Sequence, residues 1–298
     1  MSGSTPASAT TNRPARRPAR GPTGRALARF RRNRLATASL IVLAAVHVLV
    51  LLAPWIAPYS PEVVSLIERF QPPNREHWLG TDEFGRDVLT RLLYGGRVSL
   101  AVALGSMAAS IVIGLAVGAL AGFAGGPTDA ALMRVTDGML AVPLFFVALM
   151  ALATLGATLV NLVFVIALSS WMTVARAVRA EVLRTRELEF VLAARALGCG
   201  RVRTLARHVV PQSIPTVTVA ATLGVAFAVL LESSLSFLGL GVQPPAASWG
   251  NMLSGARGYL RTVPGLAVFP GIMIFVTVLC YNWFGDGLRD AIDPTLRE

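Results

Sequence analysis

Few residues in this chain combine the types and spacing that chemistry needs. Glu232 ends a long apolar run and stands directly before Ser233 and Ser234. An ionisable side chain at membrane depth marks an ion or substrate route by default. Glu232, Ser233, Ser234 and Asn161 are therefore the expected lining of a translocation path; the plainer reading is that Glu232 marks the outer end of its apolar segment. Arg134 and Asp137 stand three apart, on one helical face, and are expected to pair with each other. His47 is alone in an apolar segment and reads as a packed, hydrogen-bonded side chain. His77, Asp82, Glu83 and Asp87 lie close together, but their spacing matches no metal-ligand pattern, so no metal is expected. An intramembrane protease would need a nucleophile with its base, or paired aspartates. Ser169-Ser170 has no nearby histidine, and Asp137 has no aspartate partner in an apolar segment, so that class is disfavoured. A gated channel is a further class, marked by ion flux through the protein alone.

Composition narrows the choice. Of 298 residues, 54% are hydrophobic and only 14% are charged, against roughly 25% charged in soluble domains. The mean hydropathy is +0.62. A polytopic membrane protein follows. The two cysteines, Cys199 and Cys280, exclude a disulfide framework and a four-cysteine zinc site. All 27 basic residues are arginines. Without lysine there is no Walker A phosphate loop and no Schiff base. If ATP drives this protein, another chain binds it, and no cofactor is expected here.

The elements that must position these residues are membrane spans. Crossing a bilayer takes about 20 mostly apolar residues with every backbone group bonded inside the helix. Six segments qualify, near Leu35–Ile56, Val98–Phe123, Met139–Leu155, Leu159–Ala175, Thr216–Leu238 and Leu266–Phe284. The fold class is all-α. A very short link at Gly156 makes spans three and four a tight hairpin. Gly114, Gly118, Gly122 and Gly126, four apart, form one face on which another helix can approach closely. Pro143 and Pro270 are expected to kink their spans. The chain divides into an Arg-rich, flexible tail at 1–34, a first span with its outer loop at 35–97, and a core at 98–298 holding the loop 180–211.

Arginine distribution sets the orientation. Residues 1–34 hold nine arginines and no acid, and residues 172–214 hold eight arginines against three acids. Six spans with a cytoplasmic N-terminus put both regions, and the C-terminal tail, inside. The tail's prolines at 6, 14, 18 and 22 disfavour an amphipathic targeting helix there. Its charge alone would suit a nucleic-acid arm, but the adopted reading is a tail held near anionic membrane lipid, with no nucleic acid as partner.

The stretch 176–211 is the most informative. Arg176 to Leu197 reads as one helix, without proline or glycine and with Leu183, Phe190, Val191, Ala194 and Leu197 as an apolar stripe. Gly198 and Gly200 break it. A short basic helix, about Arg201–His208, is expected to end before Pro211. Such a bent pair suits docking into a partner's groove, or lying on the membrane surface.

Ala193-Ala194, Gly198 and Pro211 resemble the coupling loop of ABC importer permeases, with Leu192 where that family carries a glutamate. His77-Trp78-Leu79-Gly80-Thr81-Asp82 with Gly85-Arg86-Asp87-Val88 resembles the dipeptide, oligopeptide and nickel subfamily. So do Leu235-Ser236-Phe237-Leu238-Gly239-Leu240-Gly241, Gln243-Pro244-Pro245, Ser248-Trp249-Gly250, Pro270-Gly271, Gly285-Asp286-Gly287-Leu288-Arg289-Asp290 and Asp293-Pro294. The pattern is most similar to the C-type permease subunit. The resemblance implies a type I importer (MetI-like) fold with a cytoplasmic coupling helix, in a bacterial cytoplasmic membrane. It implies alternating access without covalent chemistry. It also implies four kinds of contact: a second permease subunit, two ATPase subunits, an extracytoplasmic substrate-binding protein and membrane lipid. Leu192, Ala193, Ala194, Gly198 and Pro211 are then the ATPase-coupling residues. Peptides are the implied cargo, with nickel, glutathione or another small solute as the alternative. Trp78 and Trp249 fit the outer interfacial belt, and 239–250 fits a turning segment buried in protein. Asp286, Arg289 and Asp290 are candidate partners for Arg179 or Arg184.

Overall fold

The computed structural model describes residues 22–292. The tail up to residue 21 and the closing Asp293-Pro294 lie outside the described residues. Twelve α-helices follow in chain order: α1 (Pro22–Arg32), α2 (Arg34–Leu51), α3 (Ala53–Ile56), α4 (Val88–Ala124), α5 (Gly126–Ala141), α6 (Leu144–Leu155), α7 (Leu159–Thr185), α8 (Glu189–Ala196), α9 (Arg201–Thr204), α10 (Ile214–Phe237), α11 (Trp249–Ala256) and α12 (Gly265–Ile292).

Local chemistry sets the helix starts. Asp87 caps α4 by accepting from the Thr90 amide at 2.7 Å, Thr158 caps α7, and Ser248 with Asn251 closes a capping box on α11. Pro22 opens α1 and spoils nothing, because the first turn has no use for its missing N–H. Residues 22–32 are thus a helix rather than loose tail. The Phe30 ring meets Phe284 edge-on at 5.6 Å, which seats α1 on α12.

Among the described residues, five single helices are long and apolar enough to cross a membrane. The predicted third span is not one helix. Val142 is extended, Pro143 has no N–H to donate, and α5 and α6 meet at 83°. At 1.5 Å per residue α6 alone is about 18 Å long, short of the ~30 Å hydrocarbon core. A sixth crossing therefore requires the bent pair α5–α6 together. The hairpin between α6 and α7 is as expected, with Gly156 at φ +86°.

The core joins α4, α7, α10 and α12. The helix pair α4–α7 is the principal contact of the fold, and glycine makes it possible. A Cβ at Gly114 would stand 2.6 Å from Val174 Cβ, and one at Gly122 would stand 2.9 Å from Val182 Cβ. One at Gly118 would strike the Ala175 carbonyl oxygen. Gly126 does not belong to this seam: it begins α5 in the left-handed region at φ +54°, with open space around it. Outward-facing Ile41, Val112, Val160 and Phe275 remain exposed, as lipid-facing positions must.

Candidate functional site

The segment after α7 is built in steps. The expected continuous helix from Arg176 to Leu197 ends at Thr185, and α8 starts afresh at Glu189. Val182 and Val191 are both fully buried. Nine residues at 3.6 per turn would place them on opposite faces of one helix, so the turn at 186–188 re-aims the chain and buries both. Arg186 helps to hold that turn. Its Nη1 donates to the Gly122 carbonyl at 2.7 Å, capping the end of α4, and its Nε meets Glu187 at 3.0 Å. At the far end, Gly198 adopts φ +84°. The Gly198 amide donates to Arg195 O at 2.9 Å and the Cys199 amide to Ala194 O at 3.1 Å, a glycine-closed helix end.

Leu192, Ala193, Ala194 and Gly198 therefore share one short helix and its closing turn. Buried Val191 anchors that helix, and the Arg195 guanidinium lies over the Phe123 ring at 5.1 Å. Pro211 stands apart. The chain does not stop before it: α9 passes through a widened turn at Leu205–Val209 and a tight one at Val210–Ser213 into α10, giving a 37-residue apolar rod from Arg201 to Phe237. The widened turn moves the backbone hydrogen bonding out of register, which accommodates a residue without N–H. Between Glu189 and Arg203 large apolar side chains stand exposed among the exposed charges of Glu189, Arg195, Arg201 and Arg203. Phe190 and Leu192 are about half exposed, Leu197 is 89% exposed and Val202 82% exposed.

A cavity of about 870 Å³ is lined by residues of α7, α10 and the turn that leads into α10. Ser169, Ser170 and Thr173 of α7 face Gln212 and Thr216 across it, and Glu181, Arg184 and Arg289 also line it. Sequence reading noticed Ser169-Ser170 only for want of a histidine. The signal it passed over is the recurrence of Ser170, Thr173 and Ala177 at helical spacing, which makes one small, weakly polar face.

The four expected path residues are not gathered around this cavity. Glu232 is fully buried and faces no open route. It accepts from Ser99 Oγ at 2.9 Å and Ser236 Oγ at 2.7 Å, with Ser233 Oγ at 3.4 Å. Ser233 is buried, whereas Ser234 is exposed and donates to Leu230 O at 2.7 Å. Asn161 donates to Leu155 O and Gly156 O, both at 2.9 Å, and so closes the α6–α7 hairpin.

Other pairings differ from expectation. Asp137 takes Arg176 of α7 at 2.5 Å rather than Arg134. Arg179 makes a two-pronged pair with Asp129 at 2.5 and 2.6 Å, and Arg184 pairs with Glu181, so neither meets the acids of the last span. The Arg176–Asp137 and Arg179–Asp129 pairs tie α5 to α7, a partner choice that a linear sequence does not display. Trp78 is exposed, as an interfacial residue should be, but Trp249 is completely buried. Its indole donates to Leu92 O at 3.0 Å and its ring fills the space over Gly96. His47 is packed and bonded, with its two ring nitrogens at Leu43 O and Tyr281 Oη. In the loop before α4, His77 pairs with Asp87 at 2.9 Å, and Asp82 with Arg86 at 2.7 Å and Arg91 at 3.4 Å. Tyr59 stacks on His77; desolvation first, then the carboxylates of Glu76, Asp87 and Glu68, push its phenol above its ordinary pKa, which keeps it a donor to Glu76 O.

This architecture has known counterparts. Residues 114–298 match the family described as binding-protein-dependent transport system inner membrane component. The chain belongs to that family. Residues 21–73 of the permease match the N-terminal TM domain of oligopeptide transport permease C. The permease is 45% identical to a putative peptide permease protein of Brucella suis over 276 residues, 92% of this chain and 91% of that one. It is 38% identical to a dipeptide transport system permease protein of Alkalihalophilus pseudofirmus over 273 residues, 92% and 90% of the two chains. With a nickel transport system permease protein of Escherichia coli it shares 40% over 258 residues, 87% and 93% of the two chains. It is thus a multi-pass inner-membrane permease of the ABC importer class, within the peptide and nickel subfamily, and its role is transport rather than catalysis.

Proposed function

We propose that this permease forms half of a pathway that imports di- or oligopeptides by alternating access. It pairs with a second permease subunit and is driven by two separate ATPase subunits. An extracytoplasmic binding protein delivers the cargo, and both termini of the permease lie in the cytoplasm. ATP binding draws the ATPase subunits together; α8, seated in one of them, carries the motion into α7 and the bundle.

The observation that carries this reading is the set of exposed large apolar side chains, Phe190, Leu192, Leu197 and Val202, on the 188–202 segment. Large apolar side chains left open on a basic segment outside the membrane fit a helix that docks into a groove. The anchoring of α8 through Val191 lets a push on that segment reach the core. The cavity lined by Ser169, Ser170, Thr173, Gln212 and Thr216 supports its use as this chain's half of the path, and its volume suits a small organic solute. Nickel is the second reading, favoured by the 40% identity to the nickel permease.

Deleting Ala193–Gly198 is expected to abolish substrate-stimulated ATP hydrolysis by the assembled complex while leaving membrane insertion intact. Normal coupled hydrolysis after the deletion defeats the assignment. A strain lacking this gene is expected to lose growth on defined di- and oligopeptides. Loss of growth on limiting nickel alone transfers the cargo to nickel.

A further inference from the structure

We propose that Glu232 is a positioning residue whose carboxylate, acting through Ser99 and Ser236, fastens the outer segment 238–256 to α4 and α10 so that the three move as one body. The functional half of this inference rests on the importer reading above.

The geometry is a relay. Ser99 Oγ donates to one carboxylate oxygen at 2.9 Å and Ser236 Oγ donates to the other at 2.7 Å. Each hydroxyl has a single hydrogen, which is thereby committed, and lone pairs that remain free to accept. Those lone pairs take the backbone amides of the outer segment. The Trp249 N–H donates to Ser99 Oγ at 3.2 Å, and the Val242 N–H donates to Ser236 Oγ at 3.0 Å. Glu232, Ser99 and Ser236 are all buried, so no bulk water replaces a lost bond.

Close packing supports the same unit independently. A Cβ on Gly250 would lie 2.6 Å from Ser233 O, and one on Gly241 would lie 2.6 Å from Ser236 N. The outer backbone therefore rests directly on α10. Trp249 pins the other side to α4 through Leu92 O. Between Leu238 and Ala247 the chain has no helix or strand to satisfy its own amides, so its order depends on groups supplied by α4 and α10. From Ser99 the route continues along the α4–α7 seam to the Gly122 carbonyl, where Arg186 meets the coupling segment. A binding protein acting on the outer segment would thus act on a body rigidly continuous with α4.

The relay needs an acceptor at both carboxylate oxygens. Leucine supplies none, and glutamine supplies one together with a donor. The test uses the full complex in nanodiscs. In E232L, amide exchange across 240–250 is expected to rise about tenfold while exchange in 188–202 is unchanged. Stimulation of ATP hydrolysis by liganded binding protein is expected to fall about tenfold, with basal hydrolysis within about twofold of wild type. E232Q, which keeps an acceptor for one serine and sets a donor against the other, is expected to fall between E232L and wild type in both. Unchanged exchange in E232L overturns the relay. Faster exchange with normal stimulation overturns its part in transport. If E232L does not insert, S99A and S236A carry the test, and native exchange with native stimulation in both overturns the proposal. A wild-type complex that no binding protein stimulates defeats the importer reading instead, and the exchange result stands apart from it.

Discussion

Leu197 shows what a single side chain contributes. At 89% exposure it makes almost no contact within the chain, so polar replacement leaves folding within about 0.5 kcal/mol. In a docked complex the same side chain is a buried apolar anchor. L197D is expected to weaken association with the ATPase subunits about tenfold or more, roughly 1.4 kcal/mol, at unchanged thermal stability of the permease. A pull-down titration against purified ATPase subunits measures this, and undiminished affinity removes Leu197 from the interface. Leu192 is about half exposed on the same short helix. On the proposed docking its alkyl group adds to the apolar contact made by Leu197. Glu232 teaches the complementary lesson. An acid after an apolar run reads as a route for cargo, but in the fold its carboxylate meets buried hydroxyls, one of them 133 residues away, and that contact is what the proposed relay rests on.

At the scale of elements, the α4–α7 pair sets how the bundle holds together. At Gly118 the two backbones approach so closely that an added methyl meets a carbonyl of the facing helix. G118A is expected to lower stability by about 1–3 kcal/mol, the range for overpacking a tight interface. Gly138, in α5, has nothing within 4 Å of its missing Cβ, so G138A is expected to be neutral or slightly stabilising through helix propensity. Thermal unfolding of the detergent-solubilised complex compares them; equal effects of the two substitutions contradict the seam. The glycine spacing was legible because close packing leaves a four-residue signature. Its partner was not, since any apolar span can supply the opposing face. The same limit hid the break between Thr185 and Glu189. Strong helix formers run through it, and the need to bury Val182 and Val191 together overrides their propensity.

At the scale of the whole molecule the prediction is sidedness, and the native cysteines report on it. Cys280 is buried and Cys199 is partly exposed beside the closing turn of α8. A membrane-impermeant maleimide is expected to label Cys199 in inside-out vesicles and not in intact spheroplasts, with bound ATPase subunits protecting it. Labelling from the outer face reverses the topology and removes the coupling role from 188–202. The seated helix α1 belongs to this scale too. Its arginines fit the positive-inside pattern, while its seat on α12 brings Phe30 to Phe284 and Ala291, residues far away in the chain.

The sequence by itself determined the membrane class, the all-α fold, the tight hairpin at Gly156, the glycine face at 114, 118 and 122 and the helix end at Gly198. Each depends on local composition or short periodicity, since a bilayer demands apolar length and glycine favours the left-handed turn that closes a helix. Tertiary structure alone decided which charges pair, that Trp249 lies in the core, that α5 and α6 part at 83°, and that Glu232 lies away from the cavity. Those outcomes turn on which distant groups arrive within hydrogen-bond or van der Waals reach. No one-dimensional pattern records that, because a side chain's partner in a bundle is chosen by helix rotation and crossing rather than by its neighbours in the chain.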